Sequence, residues 1–336
     1  MNVLVTGGAG YIGSVTVAEL IASGHKVVVF DNLAKGHRIA VEPAAPLVIG
    51  DILDTQKLSS TLKEHDIEAV MHFAALIEAG ESMHAPERYF RNNSFGSLSL
   101  LEAMSHAGVK RLVFSSTAAV YGEPQQVPIL ETDQTNPTNA YGESKLYVER
   151  MLEWFRRIHG LRSASLRYFN AAGATTEFGE AHCPESHLIP IVLSVAIGNR
   201  EFLNVYGTDY PTEDGTCVRD YIHVSDLAHA HVLALAALEK HSHVTYNLGN
   251  GRGFSVKQVI QVARAITGAK IECRESARRP GDPAVLVASS QKIQHELGWA
   301  PQFPRLEDIV TSAWQWHRAH PNGTATRTRN NRSCSA

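Results

Sequence analysis

The chain has 336 residues, and its 31 lysine and arginine side chains nearly balance its 34 aspartate and glutamate side chains. A chain of this length can bury the core of one large or two unequal domains, and its balanced charge, without a basic stripe, predicts no nucleic-acid partner. Because every apolar run is only as long as a strand or helix and the chain starts inside its first predicted strand, we expect no membrane span, no signal peptide and a cytoplasmic location.

The first predicted strand covers residues 2–6 and leads directly into the glycine-rich run GGAGYIG and a helix that extends to about residue 23. Gly7, Gly10 and Gly13 therefore lie where a buried parallel strand turns into the N-terminus of a helix. Without side chains, they let backbone N–H groups approach a pyrophosphate, whose charge the helix dipole favours. This turn predicts a dinucleotide-binding site.

The second predicted strand covers residues 26–30 and ends on Asp31. A carboxylate at this strand end accepts hydrogen bonds from a ribose diol and repels a 2′-phosphate. We therefore expect the cofactor to be NAD rather than NADP.

Strands alternate with helices after this point, which is typical of a doubly wound parallel sheet. Residues 46–50 lead into Asp51 and Ile52, and residues 68–73 lead into Ala74 and Ala75. Ligands bind at the carboxyl ends of the strands in such a sheet, so we expect these residues to line the adenine and ribose pocket.

The next predicted strand, 109–116, delivers Ser115 and Thr117 to the same edge, and a helix with the sequence YGESKLYVERMLEWF begins at Tyr141. Tyr141 and Lys145 are four residues apart, so their side chains rise on one face of this helix. A free phenol needs about 4 kcal/mol of preferential phenolate stabilisation to act as a base near neutral pH, and a nearby ammonium and a cationic nicotinamide can supply it. The trio of Thr117, Tyr141 and Lys145 predicts an enzyme.

The predicted fold class is α/β. Residues 1–175 are expected to form a Rossmann-type doubly wound parallel sheet that binds NAD, to which later segments return. Residues 176–320 are expected to form a smaller, mixed α/β C-terminal lobe that binds the substrate. Residues 321–336 lack apolar periodicity, and we expect them to form a disordered tail.

Two loops of the predicted smaller lobe carry arginines, Arg219 in PTEDGTCVRDY and Arg279 in ARRPGD. Arginine commonly binds phosphate through two parallel hydrogen bonds, so the two loops suggest a second diphosphate site beside the dinucleotide. The alternative is that both arginines lie at the surface and pair with their acidic neighbours Asp220 and Asp282.

The sequence offers no familiar metal-binding pattern. Cys183, Cys217, Cys273 and Cys334 are far apart and form no CxxC pair, which predicts reduced thiols. The 17 histidines show no HExxH or comparable spacing, and we therefore predict no metal site.

Several runs of the chain together resemble one enzyme family. These runs are TGGAGYIG, the pair FSST and YGESK, RYFNAAGA, and YGTDYPTEDGTCVRDYIHVSDLA. They resemble the UDP-glucose 4-epimerase (UDP-galactose 4-epimerase) family of extended short-chain dehydrogenases/reductases over about residues 1–320, and the last run is the most specific. The resemblance implies a tightly bound NAD that is reduced and reoxidised in each turnover, with UDP-galactose and UDP-glucose as substrates.

The resemblance also implies roles for individual residues. Tyr141 takes the proton from the sugar 4-hydroxyl, Thr117 hydrogen-bonds the same oxygen, and Lys145 holds the nicotinamide ribose. Together, the sequence patterns and the resemblance predict these cofactor contacts: Gly7, Gly10, Tyr11, Ile12, Gly13, Asp31, Asn32, Asp51, Ile52, Phe73, Ala74, Ala75, Asn92, Ser115, Tyr141, Lys145 and Tyr168. The predicted substrate contacts are Thr117, Tyr141, Asn170, His187, Leu188, Tyr206, Arg219, Arg279 and Asp282.

Three residues depart from the family's pattern. Ile77 stands where one well-known bacterial form carries a lysine, and His187 stands where asparagine is common. Leu286 occupies a position at which the family uses residue size to admit or exclude an N-acetyl group. Leucine is of intermediate size, so a UDP-GlcNAc epimerase remains an alternative.

Two further alternatives belong to other classes. A nucleotide-sugar 4,6-dehydratase needs an Asp-Glu pair directly after the active-site threonine, whereas Thr117 is followed by Ala118 and Ala119. A non-catalytic NAD-binding regulator would have no reason to keep Thr117, Tyr141 and Lys145 together. We also expect a homodimer, because helices near 87–106 and 141–157 can form an intermolecular bundle.

Overall fold

The computed structural model describes residues 1–182, 184–279 and 281–321. Its strands are β1 (Asn2–Thr6), β2 (Lys26–Asp31), β3 (Leu47–Ile49), β4 (Ala69–His72), β5 (Arg111–Thr117), β6 (Arg162–Tyr168), β7 (Asn170–Ala172), β8 (Leu203–Tyr206), β9 (Val218–His223), β10 (His243–Leu248), β11 (Gly253–Ser255), β12 (Cys273–Ser276) and β13 (Val285–Leu286). Its α-helices are α1 (Tyr11–Ala22), α2 (Thr55–Glu64), α3 (Ala79–Ser82), α4 (Pro86–Tyr89), α5 (Gly96–Ala107), α6 (Ala140–His159), α7 (Leu188–Ile197), α8 (Val224–Ala237), α9 (Val256–Thr267), α10 (Gln291–Leu297) and α11 (Leu306–Ala319).

The main sheet has seven parallel strands in the order β10-β6-β5-β4-β1-β2-β3. Its central strands are apolar runs without alternation, as expected for strands that are covered on both faces. Helices α1 and α8 cover one face, while α2, α5 and α6 cover the other, and a hydrophobic core fills each interface. The predicted Rossmann-type doubly wound fold is confirmed.

The chain crosses between its two lobes more than once. Strand β10 joins the main sheet beside β6, although β7, β8 and β9 of the smaller lobe precede it in sequence. Strand β7 leaves the main sheet and pairs instead with β9. The boundary at residue 175 stays a prediction, and residues 322–336 of the predicted tail lie outside the described residues.

The smaller lobe has its own sheets and core. Strands β11, β9 and β13 form one sheet, which β7 extends, and β12 pairs with β8. Helices α7, α9 and α11 pack together around a third hydrophobic cluster. This lobe lies beside the carboxyl ends of the main sheet, because β7 directly follows β6.

Helix α6 is fixed to the main sheet by a buried polar network. Arg167 on β6 donates two hydrogen bonds to the Glu149 carboxylate on α6, at 3.0 and 2.6 Å. The Ser116 hydroxyl on β5 donates to the same carboxylate at 2.5 Å, and Arg167 also donates to the Tyr121 hydroxyl at 2.9 Å. Tyr121 in turn donates to Asn247 on β10 at 2.7 Å, so the network ties α6 to three strands.

The helical stretch predicted over 87–106 is divided into three parts. A π-helical segment, Phe90–Phe95, separates α4 from α5.

In the described parts of the chain, we find no helix that is both long and apolar enough to cross a membrane.

Candidate active site

A cleft of about 330 Å³ lies at the carboxyl edge of the main sheet, where the topology places ligands. The predicted cofactor contacts that line it are Gly7, Gly10, Tyr11, Ile12, Gly13, Asp31, Asn32, Ile52, Phe73, Ala74, Ala75, Asn92, Ser115, Tyr141 and Tyr168. Two others do not line it: Asp51, which accepts a hydrogen bond from the cleft residue Asn32 at 3.1 Å, and Lys145, which is buried. Their cofactor roles stay predictions.

The glycine turn is too tightly packed for side chains. Gly7 has a φ of +74°, and a Cβ on it would lie 2.6 Å from the backbone nitrogen of Ala74. A Cβ on Gly13 would lie 2.2 Å from the Gly7 carbonyl oxygen. Gly10 caps α1 without any side-chain hydrogen bond, so the first N–H groups of the helix face the cleft with no side-chain cap. Such an end suits an anion.

Asp31 lies at the end of β2 and is almost fully buried. Its carboxylate accepts hydrogen bonds from the backbone nitrogens of Ala9 at 3.0 Å and Leu33 at 2.8 Å. Burial raises the pKa of this carboxyl, and the two backbone bonds partly offset that effect. Each oxygen keeps acceptor capacity beyond these bonds, which suits a ribose diol.

Helix α6 presents Tyr141 from its first turn. Asn139 caps the helix by accepting a hydrogen bond from the Gly142 nitrogen at 2.8 Å, and Gly160 ends it with a φ of +67°. Thr117, at the end of β5, lines the cleft together with Tyr141. The structure therefore brings the predicted hydroxyl and phenol to one surface.

Lys145 lies one helical turn beyond Tyr141, where it is 3% exposed. Its ammonium donates to the Ser115 carbonyl at 2.8 Å and lies 5.0 Å from the centre of the Phe114 ring. Burial lowers the pKa of this ammonium to about 7.

The phenol of Tyr141 is a weak acid among the protein groups that surround it. Burial raises its pKa to about 12, a hydrogen bond with Thr117 acts in the opposite direction, and the Glu78 carboxylate raises the pKa further. Burial is the largest influence on both groups, since it raises the pKa of Tyr141 and lowers that of Lys145, and the expected support of a phenolate by Lys145 stays a prediction. At neutral pH the phenol keeps its proton.

Sequence reasoning missed a residue that holds the cleft wall in place. Asn93, in the π-helical segment, accepts from the Leu76 nitrogen at 2.8 Å and donates to the Leu76 carbonyl at 3.0 Å. It also donates to the Ser144 hydroxyl at 3.0 Å on α6. Asn93 thus joins the loop after β4 to the helix that carries Tyr141, a connection that no local pattern reveals.

The predicted substrate contacts divide between two places. Asn170 and His187 line the cleft along with Thr117 and Tyr141, and Asn170 donates to the Asp220 carbonyl at 3.1 Å. The remaining five do not line it and are Leu188, Tyr206, Arg219, Arg279 and Asp282.

Four of these five form two separate pairs on the smaller lobe. Arg219 forms an ion pair with Asp282, and the Arg279 guanidinium lies 4.1 Å from the centre of the Tyr206 ring. Strand pairing aligns Asn170 with Tyr221, which places Arg219 two residues, or about 7 Å, farther along β9. Arg219 thus lies close to the cleft, while the substrate roles of all four residues stay predictions.

The contacts of Asp220 differ from the alternative interpretation, in which Asp220 pairs with an arginine at the surface. Its carboxylate is fully buried and accepts backbone bonds from Asn250 at 2.8 Å, Gly251 at 3.0 Å and Ala288 at 3.1 Å. Asp220 therefore braces the sheet of the smaller lobe, and Arg219 pairs with Asp282 alone among its acidic neighbours in the described residues.

The structure also shows the surroundings of Ile77 and Leu286, two residues that differ from the family's pattern. Ile77 lines the cleft, and Lys35 reaches the same cleft from the loop after β2. The Lys35 ammonium lies 2.9 Å from the carboxylate of Glu78, the residue next to Ile77. A positive charge near Ile77 is therefore supplied by the loop after β2. Leu286 on β13 is aligned with Arg219 on β9 and packs against the cluster around Phe169.

A second group that sequence reasoning missed lies between β7 and α7. Glu180 and His182 line the cleft beside the predicted His187, and Glu185 lies next to them. The spacing E-x-H-x-x-E-x-H in residues 180–187 was a detectable signal. It was missed because it matches no familiar metal or catalytic motif.

Comparisons with known proteins agree with this geometry. A family model described as the NAD dependent epimerase/dehydratase family matches residues 3–249. A UDP-glucose 4-epimerase of Halalkalibacterium halodurans is 54% identical over 329 residues, which cover 97% of this chain and 98% of that protein. A solved UDP-glucose 4-epimerase has a TM-score of 0.94 at 49% identity, with coverage of 97% of this chain and 100% of that chain. The structure of a UDP-glucose 4-epimerase from Bifidobacterium longum in complex with NAD+ and UDP has a TM-score of 0.93 at 38% identity, with coverage of 96% and 100%.

The buried ammonium of Lys145 predicts a pH dependence of stability. Because its pKa falls from 10.5 to about 7 on folding, the unfolded chain binds more protons between these values, and the free energy of unfolding rises with pH across that window. In the cofactor-free protein, we expect Lys145→Met to reduce this slope between pH 7 and 9 by up to about 1.4 kcal/mol per pH unit. Chemical denaturation at a series of pH values measures the slope.

Lys292→Met is the matched control, since Lys292 also donates to a backbone carbonyl, that of Thr245 at 2.9 Å, but is only half-buried. We expect this variant to keep the slope of the unsubstituted protein. A slope that Lys145→Met leaves unchanged would contradict the buried, easily deprotonated ammonium.

Proposed function

The chain belongs to the NAD-dependent epimerase/dehydratase family, and on that basis we propose that it interconverts UDP-galactose and UDP-glucose with NAD as its cofactor. The reaction inverts the configuration at sugar C4 without net redox. One observation carries the proposal: Thr117 and Tyr141 face the same cleft as the glycine turn and Asp31. A proton acceptor and a dinucleotide site thus share one surface.

The residues at the carboxyl edge fit NAD. The α1 N-terminus, which lacks a side-chain cap, suits the pyrophosphate, and the packing of Gly7 and Gly13 leaves backbone rather than side chains at that surface. The Asp31 carboxylate suits the ribose diol. Bound NAD would supply a reversible acceptor for the hydride of sugar C4.

Tyr141 and Thr117 perform the proton transfer at the sugar. We assign Tyr141 as the base that takes the proton of the 4-hydroxyl, with the Thr117 hydroxyl orienting the same oxygen. Because burial raises the pKa of the phenol, a positive charge in the cleft would help Tyr141 to act as a base, and the cationic nicotinamide of NAD would supply one. Lys145, held at the Ser115 carbonyl, positions the ribose next to Tyr141.

Epimerisation also requires the 4-keto sugar to turn over before hydride returns. The substrate must therefore be anchored through its diphosphate rather than its sugar. Arg219 and Arg279 suit this anchoring role, because each already has a partner that orients its guanidinium: the Asp282 carboxylate and the Tyr206 ring. Few fixed contacts to the sugar then leave it free to rotate.

The purified protein should convert UDP-galactose to UDP-glucose without added nucleotide, which proton NMR of the sugar nucleotides can follow directly. Tyr141→Phe removes the proton acceptor and should slow turnover by about 10²- to 10⁴-fold while leaving UDP affinity nearly unchanged. Tyr147→Phe, at an exposed position on the same helix, is the control and should keep the rate.

Formation of a 4-keto-6-deoxy sugar nucleotide in that experiment would instead indicate a dehydratase. A bound nucleotide with no turnover of any UDP-sugar would favour the non-catalytic regulator. A Tyr141→Phe protein that keeps most of its rate would show that the base is another group.

The anchoring role predicts a loss of UDP affinity in arginine variants. Arg219→Ala and Arg279→Ala should each weaken UDP binding by roughly 1.5 to 3 kcal/mol, the range for hydrogen bonds to charged groups. Arg278→Ala is the control from the same loop, since its guanidinium pairs with Asp209 at 2.7 Å and stacks 4.2 Å from the Tyr210 ring. Calorimetric titration with UDP measures all three, and equal affinities throughout would return Arg219 and Arg279 to a surface role.

We also propose that the protein is a homodimer. Large apolar side chains are exposed on one side of α6 and beside the start of α5: Phe95 is 61% exposed, Trp154 62% and Ile158 69%. Tyr147 lies on the same stripe of α6, because Tyr147, Trp154 and Ile158 recur at helical spacing. An exposed apolar stripe of this kind is typical of a protein–protein interface.

Trp154→Glu places a charge in the proposed interface and should convert the dimer to a monomer at micromolar concentration. Ile49→Glu, on the exposed edge strand β3, is the control and should leave the oligomeric state unchanged. Light scattering coupled to size-exclusion chromatography measures the mass of each. A dimer that survives Trp154→Glu would place the interface elsewhere.

A cytoplasmic location is likewise our proposal. Among the described residues, Cys217 and Cys273 are free thiols, as is usual for proteins of a reducing compartment. This agrees with the chemistry proposed here, since none of its steps requires a disulfide.

A further inference from the structure

The segment between β7 and α7 gathers two histidines and two glutamates into one group. We call Glu180, His182, Glu185 and His187 the 180–187 cluster. Each offers one nitrogen or oxygen donor, and all four donor atoms lie within 4.8 Å of one another. The proposed epimerisation uses neither glutamate nor His182.

The donors of the cluster converge on one point. Glu180 Oε1 lies 3.1 Å from His182 Nδ1 and 2.7 Å from His187 Nδ1, and His187 Nδ1 lies 2.9 Å from Glu185 Oε1. In a tetrahedral site with bonds of about 2.0 to 2.2 Å, neighbouring ligand atoms are about 3.3 to 3.6 Å apart. These three spacings are shorter by about 0.2 to 0.9 Å, and all six donor pairs lie within 4.8 Å, so a rearrangement of the side chains within the cluster would accommodate an ion.

The charge of the cluster also favours a cation. Glu180 is 4% exposed, and its ion pairs among the described residues are with histidines, which carry a charge only when protonated. Two carboxylates that both lie within 3 Å of His187 Nδ1 repel each other unless a positive charge lies between them, which either a protonated His187 or a bound cation would supply. A divalent ion would neutralise both without requiring a protonated imidazole.

We propose that the 180–187 cluster binds one divalent transition-metal ion, most suitably Zn²⁺. Two imidazole nitrogens and two carboxylate oxygens are a donor set that zinc accepts in four-coordinate sites. All four positions are supplied by the protein, so the ion has a structural rather than a catalytic role.

The position of the cluster indicates what the ion stabilises. Tyr11, at the start of α1, donates to the Gly173 carbonyl at 2.6 Å, and its ring makes an edge contact with His182. His37, in the loop after β2, lies 3.1 Å from the Ala181 carbonyl oxygen. The segment that carries the cluster therefore contacts the start of α1 and the loop after β2, which both border the glycine turn. A bound ion would hold this segment beside the end of the cleft that suits a pyrophosphate.

Metal analysis of the full-length protein tests this proposal. The protein is stripped with a chelator, incubated with Zn²⁺, desalted and analysed by mass spectrometry for zinc. We expect one retained zinc per chain and a higher melting temperature than that of the stripped protein. The absence of retained zinc at near-stoichiometric level would overturn the proposal.

Substitutions locate the bound ion. His182→Gln and Glu180→Gln each remove one ligand and should weaken zinc binding by at least about 100-fold, because even outer partners of metal ligands contribute 10- to 100-fold. His229→Gln is the matched control, since His229 forms a separate histidine–carboxylate contact with Glu19 at 3.3 Å. If both cluster variants retain as much zinc as the control, the ion lies at an adventitious site and the proposal fails.

A spectroscopic measurement on the unsubstituted protein does not depend on how the variants fold. Co²⁺ in place of Zn²⁺ should give the intense visible absorption of a four-coordinate site. A weak, six-coordinate spectrum would contradict a closed four-ligand site. Neither zinc retention nor this spectrum requires turnover of a UDP-sugar, so failure of the metal site is distinguishable from failure of the proposed function.

Discussion

The buried ion pair between Glu149 and Arg167 is the constraint on which the geometry of the site depends. Lys145 lies one turn before Glu149 on α6, and Tyr168 directly follows Arg167 on β6. Ser116, which donates to the same carboxylate, directly precedes Thr117. One network therefore sets the relative positions of the hydroxyl, the phenol and the ammonium. Loss of either charged partner would leave the other buried alone, at a cost of about 3 to 5 kcal/mol.

Sequence reasoning predicted those parts of the molecule that are determined by residues close to one another in the chain. An unbroken apolar run indicated β1, glycines at the start of α1 indicated the close turn, and the four-residue spacing of Tyr141 and Lys145 placed both on α6. These features depend on neighbours in the chain, so their residues carry the information. The alternation of strands and helices predicted a doubly wound parallel sheet but not the order of its strands, since the position of β10 beside β6 depends on distant contacts.

Features that depend on distant contacts were not predictable in this way. The high pKa of Tyr141 arises from burial and from Glu78, which another loop supplies. The pairing of Arg219 with Asp282 rather than with the adjacent Asp220 follows from strand geometry, because successive side chains on β9 point to opposite faces. Both results depend on tertiary packing, which a local sequence motif does not specify.

The late position of β10 in the chain has a consequence for synthesis on the ribosome. The β6 edge of the main sheet stays unpaired until residues 243–248 have been made, by which time β7, β8 and β9 already exist. An open parallel edge is a template for wrong strand pairing, so the nascent chain is exposed to misassembly for much of its translation. The two lobes therefore cannot mature one after the other, because the main sheet is completed only after the first strands of the smaller lobe have been made.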